Sequence, residues 1–278
     1  MNRFLRFLFL STALLAASAA QAQIDKTTTE SLLRKSGLWE QVGSIAAHAE
    51  AGLSGMFAQA ATKPSAEEVA RIARVVRESY SAQRLRAVSL DIVSQRLNAQ
   101  HVATLLLWFD SPVGQAITKL EETASADSGD VQAQMQQGVA LLEKADPARR
   151  ALFKELLKET RAAEVMIEIT INTSLAALRG VASVSPQTQT ISAAELKAAL
   201  EAQRPQLMQG FSAMALAGFA RAYEPLSTEQ LRSYVAFLKS EAGKHYDEVC
   251  MQALDAALTE AAADLGRKLP STKDQANT

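Results

Sequence analysis

The segment Trp108-Phe109-Asp110-Ser111-Pro112-Val113-Gly114 decides the fold, because a related segment returns late in the chain. The second copy reads Phe237-Leu238-Lys239-Ser240-Glu241-Ala242-Gly243, and in both copies the serine stands three residues before the glycine. The leading residues 97–101 and 226–230 keep the same offset as the serines (226 − 97 = 129 and 240 − 111 = 129). Equal offsets of this kind indicate an internal duplication.

Within the first copy, Ser111 and Pro112 form the pattern of a helix N-cap followed by proline at the first helical position. Proline is well tolerated there, because the amide that it lacks would have no partner inside the helix. Gly114 has no side chain and would let another helix approach closely. The residues that we assign to this structural motif in the two copies are Phe109, Ser111, Pro112, Gly114, Ser240 and Gly243.

The composition favours helices over strands. Aromatic residues make up only 5% of the chain, and the good helix formers Ala, Leu, Gln and Glu are abundant. Capping boxes, in which a serine and a Glu or Gln three residues later accept hydrogen bonds from each other's backbone amides, begin at Ser65, Ser192 and Ser227. Residues 167–172 alternate as a strand would, but they have no strand partner and duplicate a helical region. The sequence therefore predicts an all-α helical bundle.

The duplication divides the chain into two pseudo-repeated helical halves, residues 27–125 and 150–266, packed around a pseudo-two-fold axis. A connecting helix is predicted within residues 126–149. We expect residues 24–29 to be a frayed lead-in, Gly266 to cap the last helix, and residues 267–278 to form a disordered tail. The pattern leaves open whether the halves pack as one domain or as two.

The first 22 residues have the features of a signal peptide. Arg3 and Arg6 provide a basic start, residues 7–17 an apolar run, and Ala20-Gln21-Ala22 a cleavage site. We expect cleavage after Ala22 and a periplasmic mature protein. The apolar run is shorter than the roughly 20 residues that span a bilayer, and no later segment is uniformly apolar over that length, so no transmembrane segment is predicted in the mature chain.

Charge and cysteine content narrow the classes of partner. Removal of residues 1–22 leaves 27 basic against 30 acidic residues (29 − 2 = 27), a formal charge of −3. This balance predicts neither a nucleic-acid face nor attraction to an anionic membrane. Cys250 is the single cysteine, so an intramolecular disulfide is excluded. We expect no cofactor, and the sequence does not indicate the oligomeric state.

The turn itself resembles a known family. An aromatic residue or leucine, one further residue and then Ser-x-x-Gly, after a capped helix and behind a signal peptide, resembles the Gram-negative periplasmic family named domain of unknown function 2059. The first copy fits this pattern, whereas the second has Leu238 in place of the aromatic residue and Glu241 in place of the proline. The resemblance implies an exported helical protein and implies no activity.

Two constellations raise the question of catalysis or metal binding. Ser111 could act as a nucleophile with His101 as base and Asp110 as orienting group. Against this hydrolase, Ser111 is needed as a cap, no Gly-x-Ser-x-Gly elbow surrounds it, and Gln230 replaces His101 in the second copy. The residues of a conceivable metal site are His245, Asp247, Glu248 and Cys250. Zinc needs three or four converging ligands, so no metal is expected there.

Paired carboxylates and large apolar residues are interpreted mainly as structural features. Glu67-Glu68 and Glu121-Glu122 are adjacent on their helices and point in different directions, so solvated faces are expected. Trp39 and Trp108 are interpreted as core anchors. An adaptable apolar groove is predicted to be lined by Met208, Phe211, Met214 and Phe219.

The preferred hypothesis is a non-enzymatic binding or interaction module. Either the seam between the two halves or the Met208–Phe219 face would take up an apolar ligand or an amphipathic partner helix. The alternatives are the hydrolase at Ser111 and a structural envelope protein that forms a stable homo-oligomer.

Overall fold

A computed structural model of the chain describes residues 24–59, 63–127, 129–185 and 191–269. Every regular element within these ranges is an α-helix, which confirms the all-α prediction. The helices are α1 (Lys26–Lys35), α2 (Leu38–Gln59), α3 (Ala66–Ser79), α4 (Ala82–Arg96), α5 (Ala99–Asp110), α6 (Pro112–Ala126), α7 (Val131–Lys144), α8 (Pro147–Thr160), α9 (Ala162–Val184), α10 (Ala193–Ala202), α11 (Arg204–Ala222), α12 (Thr228–Lys239) and α13 (Glu241–Lys268). The predicted signal peptide and residues 270–278 lie outside the described residues.

Side-chain caps set many of the helix starts. The capping boxes at Ser192 and Ser227 have both reciprocal bonds, with the backbone N–H of each serine donating to the side chain three residues later at 2.8 Å. At Ser65 the hydroxyl accepts from the Glu68 amide at 3.2 Å. Asp146 and Pro147 begin α8 as N-cap and first-turn proline. These bonds satisfy amides that the first turn of a helix leaves without partners.

Both Ser-x-x-Gly turns have the same hydrogen bonds. The Ser111 hydroxyl donates to the Trp108 carbonyl at 2.6 Å and accepts from the Gly114 amide at 3.0 Å, and the Ser240 hydroxyl repeats these bonds with Phe237 and Gly243 at 2.6 and 3.0 Å. A Cβ on either glycine would overlap the carbonyl oxygen three residues before the serine. The close neighbour of Gly114 is therefore the end of α5 across the corner, rather than a distant helix.

Three local expectations differ from the structure. The supposed lead-in is mostly helix, because Asp25 caps α1 and Ile24 and Thr29 are buried. The apolar pattern after Pro147 predicts one long helix through Leu156 and Met166 to Leu175, but the structure divides it at Arg161, which adopts a left-handed conformation at φ 49°. Gly266 does not cap the last helix: it lies buried inside α13, which continues to Lys268 and so takes in two residues of the predicted tail.

The buried side chains form two large cores, and each contains helices from both predicted halves. The first core joins α1, α2, α4 and α5 to the last helix α13, and its members include Leu32, Leu33, Leu85, Leu105, Val249 and Ala253. The second core joins α8, α11 and α12 to α6, and its members include Ile117, Leu152, Phe153, Leu156, Leu231 and Val235. The helix that follows each Ser-x-x-Gly turn thus packs in the core of the other half. The boundaries 27–125 and 150–266 stay a prediction.

Small residues bring α9 and α13 into direct backbone contact. A Cβ on Gly180 would overlap the carbonyl oxygen of Ala263, and a Cβ on Gly266 would overlap that of Ala177. The reciprocal arrangement places a glycine of each helix against the backbone of the other. Close approach of this kind explains why both glycines are buried within helices, where glycine otherwise lowers stability.

The helical stretch Pro147–Val184 is long and apolar enough to cross a membrane, judged by length and hydropathy alone. Its α9 part packs against α13, and Ile167 and Ile171 are buried in a third, smaller cluster. Core helices of soluble proteins meet the same criterion, so the stretch is weak support for a membrane span. The prediction that the mature chain has no transmembrane segment stays a prediction.

Candidate functional site

A cavity of about 510 Å³ lies where the two cores meet. Its walls come from both predicted halves, chiefly from α5 and α6 of the first and from α9, α11, α12 and α13 of the second, and most of its surface is apolar. This volume falls in the range of small-molecule sites, roughly 300–1,000 Å³. The cavity lies at the seam between the two predicted halves, which is one of the two places where we expect a ligand from the sequence.

Regular helical spacing brings the lining residues to the cavity. On α6 they are Gly114, Ile117, Thr118, Glu121, Ala124 and Ser125; on α11 they are Ala215, Gly218, Phe219, Arg221 and Ala222; on α13 they are Gly243, Tyr246, Asp247, Cys250, Met251 and Leu254. Steps of three and four residues place each set on one face of its helix. Three helix faces therefore converge on the cavity, and two of them carry a carboxyl group.

Aromatic rings form one wall. Trp108 stacks on Phe237 with 4.4 Å between the ring centroids and lies nearly parallel to Tyr234 at 6.4 Å. Tyr223 meets Tyr234 edge to face at 5.7 Å, and Phe219 stacks on Tyr223 at 5.9 Å. Two phenolic hydroxyls of this wall, those of Tyr223 and Tyr234, lie beside the first carboxyl group.

The Glu121 carboxyl group lines the cavity and accepts hydrogen bonds from two tyrosine hydroxyls. The hydroxyls of Tyr223 and Tyr234 both donate to its Oε1, at 2.7 and 2.8 Å. Desolvation raises the pKa of the Glu121 carboxyl, and the bonds from the two tyrosines, together with Gln41, partly oppose that rise. The side chain is half-buried because it borders the cavity, although protein surrounds it. The expectation that Glu121 lies on a solvated face is therefore wrong.

Asp247 is the second carboxyl group. Burial, together with repulsion from Glu248 and Glu121, raises the pKa of the Asp247 carboxyl to about 7, and Arg161 opposes this rise. Within the described residues no hydrogen bond reaches this carboxyl. Its neighbour Cys250 is buried, and desolvation raises the pKa of that thiol, so the thiolate form needed for nucleophilic chemistry is disfavoured.

The structure separates the four residues of the groove predicted from sequence. Phe219 lines the main cavity. Phe211 and Met214 line a smaller pocket of about 280 Å³ on the other part of α11, and Met214 is exposed. Met208 and Phe211 pack against the third cluster on α9. A ligand role for Met208, Phe211 and Met214 stays a prediction.

The hydrogen bonds of Ser111, Asp110 and His101 lead to different partners. The Ser111 hydroxyl already donates to the Trp108 carbonyl and accepts from the Gly114 amide. Asp110 pairs with Lys35. His101 Nε2 lies 3.6 Å from the Glu241 carboxylate. In the part of the chain that the structure describes, these three residues do not form a nucleophile–base–orienter chain.

The conceivable metal ligands also diverge. His245 Nε2 accepts a hydrogen bond from the Asn98 amide at 3.2 Å, and its ring meets the His101 ring at 5.3 Å. Asp247 and Cys250 instead line the cavity, while Glu248 is exposed. Among the described residues no group of three or more His, Cys, Asp or Glu side chains could hold a metal ion.

Comparison with known proteins adds a family resemblance. Residues 83–140 match a family described as "Uncharacterized protein conserved in bacteria (DUF2059)". The chain resembles the DUF2059 family. The matched segment runs from α4 into α7 and contains the first Ser-x-x-Gly turn, which carried the resemblance in the sequence; the second turn lies outside it. The DUF2059 description names no activity. No curated protein and no solved structure matches the chain.

Sequence reasoning missed the polar groups of the cavity. Tyr223 and Tyr234 were not singled out, and Asp247 was considered only as a metal ligand. The available signal was the helical period: Asp247 lies three and four residues from Cys250 and Met251, and Glu121 lies three and four residues from Thr118 and Ile117. A carboxyl group within an apolar stripe indicates either a buried partner or a lined cavity.

Proposed function

We propose that this protein is a non-enzymatic, exported periplasmic binding protein, and that it holds a small apolar molecule in the cavity between its two cores. The observation that carries the proposal is the cavity of about 510 Å³, whose surface is mostly apolar and carries a few polar groups. Sites for small ligands have this composition, because apolar walls supply affinity and a few polar groups fix orientation.

The ligand would contact both predicted halves of the chain. Trp108 and Ile117 come from the first half, whereas Phe237 and Tyr246 come from the second. Occupation of the cavity would thus add contacts between the two cores and stabilise the folded chain by mass action. A ligand in this cavity would lie at the seam between the halves, where the sequence hypothesis also puts it.

Binding is tested with N-phenyl-1-naphthylamine, an uncharged apolar dye whose fluorescence rises in an apolar site. We expect saturable binding to the mature chain and loss of binding in Gly218→Leu. Gly218 lines the cavity, and apart from its chain neighbours and the backbone of its own helix no atom lies within 4 Å of the position that a Cβ would take there, so a leucine side chain would enter free space.

Gly210→Leu is the matched control. Gly210 lies on the same helix, is equally open around the position of a Cβ, and borders only the smaller pocket among those described. Dye binding should survive this change. Absence of saturable binding to the parent chain, or equal loss in both variants, would show that the cavity is not a ligand site.

Export is tested separately. The chain is produced with its own first 22 residues, periplasmic and cytoplasmic fractions are prepared, and intact mass is measured. We expect a periplasmic product that begins at Gln23. A full-length product retained in the cytoplasm would contradict this part of the proposal without affecting the binding test.

A further inference from the structure

We propose that the cavity selects a lipophilic amine, whose ammonium group binds between Glu121 and Asp247 while its apolar body lies against the remaining walls. This inference rests on the proposed function, because it assigns a chemical class to the ligand of the same cavity. It commits to a small-molecule cation and excludes a partner helix from this site.

The charges that line the cavity favour a cation. Among the described lining residues the charged side chains are Glu121, Asp247 and Arg221. Arg221 is already engaged, since it donates to Asp127 at 2.9 Å and to Gln134 at 3.3 Å. Two carboxyl groups on different helices therefore line the cavity, and the basic residue among the described lining residues is already bonded to other acceptors. An ammonium group on the ligand would supply the positive charge that the two carboxyl groups lack.

The hydrogen bonding of the two carboxyl groups leaves room for a donor. Glu121 accepts both tyrosine hydroxyls through one oxygen, Oε1, and its carboxyl also has a side-chain hydrogen bond with Gln41. An ionised carboxylate can accept about four hydrogen bonds, so these three leave it able to accept another. Asp247 accepts no hydrogen bond from the described residues. An ammonium group carries three N–H donors, and charge-assisted bonds to carboxylates are stronger than neutral ones.

The aromatic wall adds a second feature that suits a cation. Trp108 and Tyr234 line the cavity beside Glu121, and Tyr234 is held in place by its bond to that carboxylate. A cation within about 6 Å of a Trp or Tyr ring centroid is attracted by the negative face of the ring. A carboxylate ligand would meet two acidic groups instead, so the arrangement disfavours anions.

The test compares three molecules that share one hydrocarbon chain: decylamine, decanol and decanoate. Their affinities for the mature chain are measured at pH 8 by displacement of N-phenyl-1-naphthylamine and by calorimetry. We expect decylamine to bind about tenfold or more tightly than decanol, and decanoate to bind most weakly. The pH is chosen above the pKa of Asp247, which is about 7.

Two cavity variants and one control locate the effect. Asp247→Asn and Glu121→Gln should each lower the affinity for decylamine about tenfold and change that for decanol less than about twofold. Glu248→Gln removes the same charge from the neighbouring residue, which is exposed and outside the lining, and should leave both affinities unchanged. Circular dichroism shows which variants fold, and either cavity variant is sufficient for the test.

The outcomes separate the two proposals. Equal affinities for decylamine and decanol would overturn the amine assignment and leave the apolar cavity as a binding site. If Glu248→Gln lowers the affinity for decylamine as much as Asp247→Asn does, the proposed direct contact with Asp247 is wrong. If the parent chain binds neither the dye nor any of the three molecules, the proposed function itself is wrong.

Discussion

At the scale of single residues, Ser111 joins α5 to α6 through the two hydrogen bonds of one hydroxyl. We expect Ser111→Ala to lower the free energy of unfolding by about 1 kcal/mol, the typical loss for an N-cap serine. Ser111→Thr should retain most of the stability, because threonine also caps helices. Urea unfolding followed by far-UV circular dichroism measures both changes.

The control for this change is Ser31→Ala on the exposed surface of α1, which should alter stability by less than about 0.5 kcal/mol. Ligand binding should be the same in all three variants. A Ser111→Ala variant of full stability would contradict the capping role and would reopen the question of what the hydroxyl does.

The raised pKa of Asp247 predicts how the stability of the folded chain depends on pH. Its pKa, which is 3.8 for an ordinary aspartate, is about 7 in the folded chain, so the folded state holds the proton more tightly than the unfolded state. Its ionisation therefore lowers stability as the pH rises from about 4 to about 7. The charged or titratable groups coupled to this carboxyl are Glu121, Glu248, Arg161, Tyr234 and Cys250.

Asp247→Asn removes this ionisation. We expect the variant to be more stable than the parent by about 1–2 kcal/mol at pH 8, less than the full shift would give because the carboxyl borders a cavity. The difference should shrink as the pH falls towards the ordinary aspartate pKa of 3.8 and vanish about one pH unit below it, where the parent carboxyl is protonated in both states. Thermal or urea unfolding at several pH values provides the measurement, and a pH-independent difference would be inconsistent with the raised pKa.

At the scale of elements, the contact between α9 and α13 depends on two glycines. We expect Gly180→Ala and Gly266→Ala each to lower the free energy of unfolding by about 1–3 kcal/mol, because the added Cβ meets backbone of the facing helix. Gly210→Ala, in open space on α11, should instead raise stability by about 0.5–1 kcal/mol. Chemical denaturation of the three variants checks the contrast, and stability gained at all three positions would show that the helices are not in close contact.

Helix positions were the most predictable feature of the chain. The N-cap signals, which are serine, asparagine or aspartate at positions 65, 98, 111, 146, 192, 227 and 240, each precede an observed helix, and proline follows two of them at positions 112 and 147. Such signals act over one turn and can therefore be read locally. The break at Arg161 could not be predicted, because a left-handed arginine has no local sequence signal and is held by the surrounding packing.

The candidate site was less predictable, because a cavity depends on how helices pack. Its partners are far apart in sequence: the Glu121 carboxylate meets Tyr223 and Tyr234 across more than a hundred residues (223 − 121 = 102). The period of α6 and α13 places Glu121 and Asp247 on apolar faces, but it does not indicate which helices face each other. The seam between the halves could be named in advance, whereas its two carboxyl groups and their tyrosines could not.

At the scale of the whole molecule, each core depends on a helix from the other half of the chain. We expect a chain that ends at Lys239 to lose cooperative unfolding and near-UV circular dichroism, because the first core would lack α13. A chain that ends at Leu269 retains every described helix and should unfold like the parent. If the chain ending at Lys239 unfolds cooperatively with native near-UV signal, the first core does not require α13.

The position of α13 also sets an order of events during synthesis. Residues 241–268 leave the ribosome after all the other described helices, yet they complete a core whose other helices are made first. Leu32 and Leu33 emerge more than two hundred residues before Val249 and Ala253 (249 − 33 = 216), which belong to the same core. The nascent chain therefore cannot complete its first core before α13 has been translated.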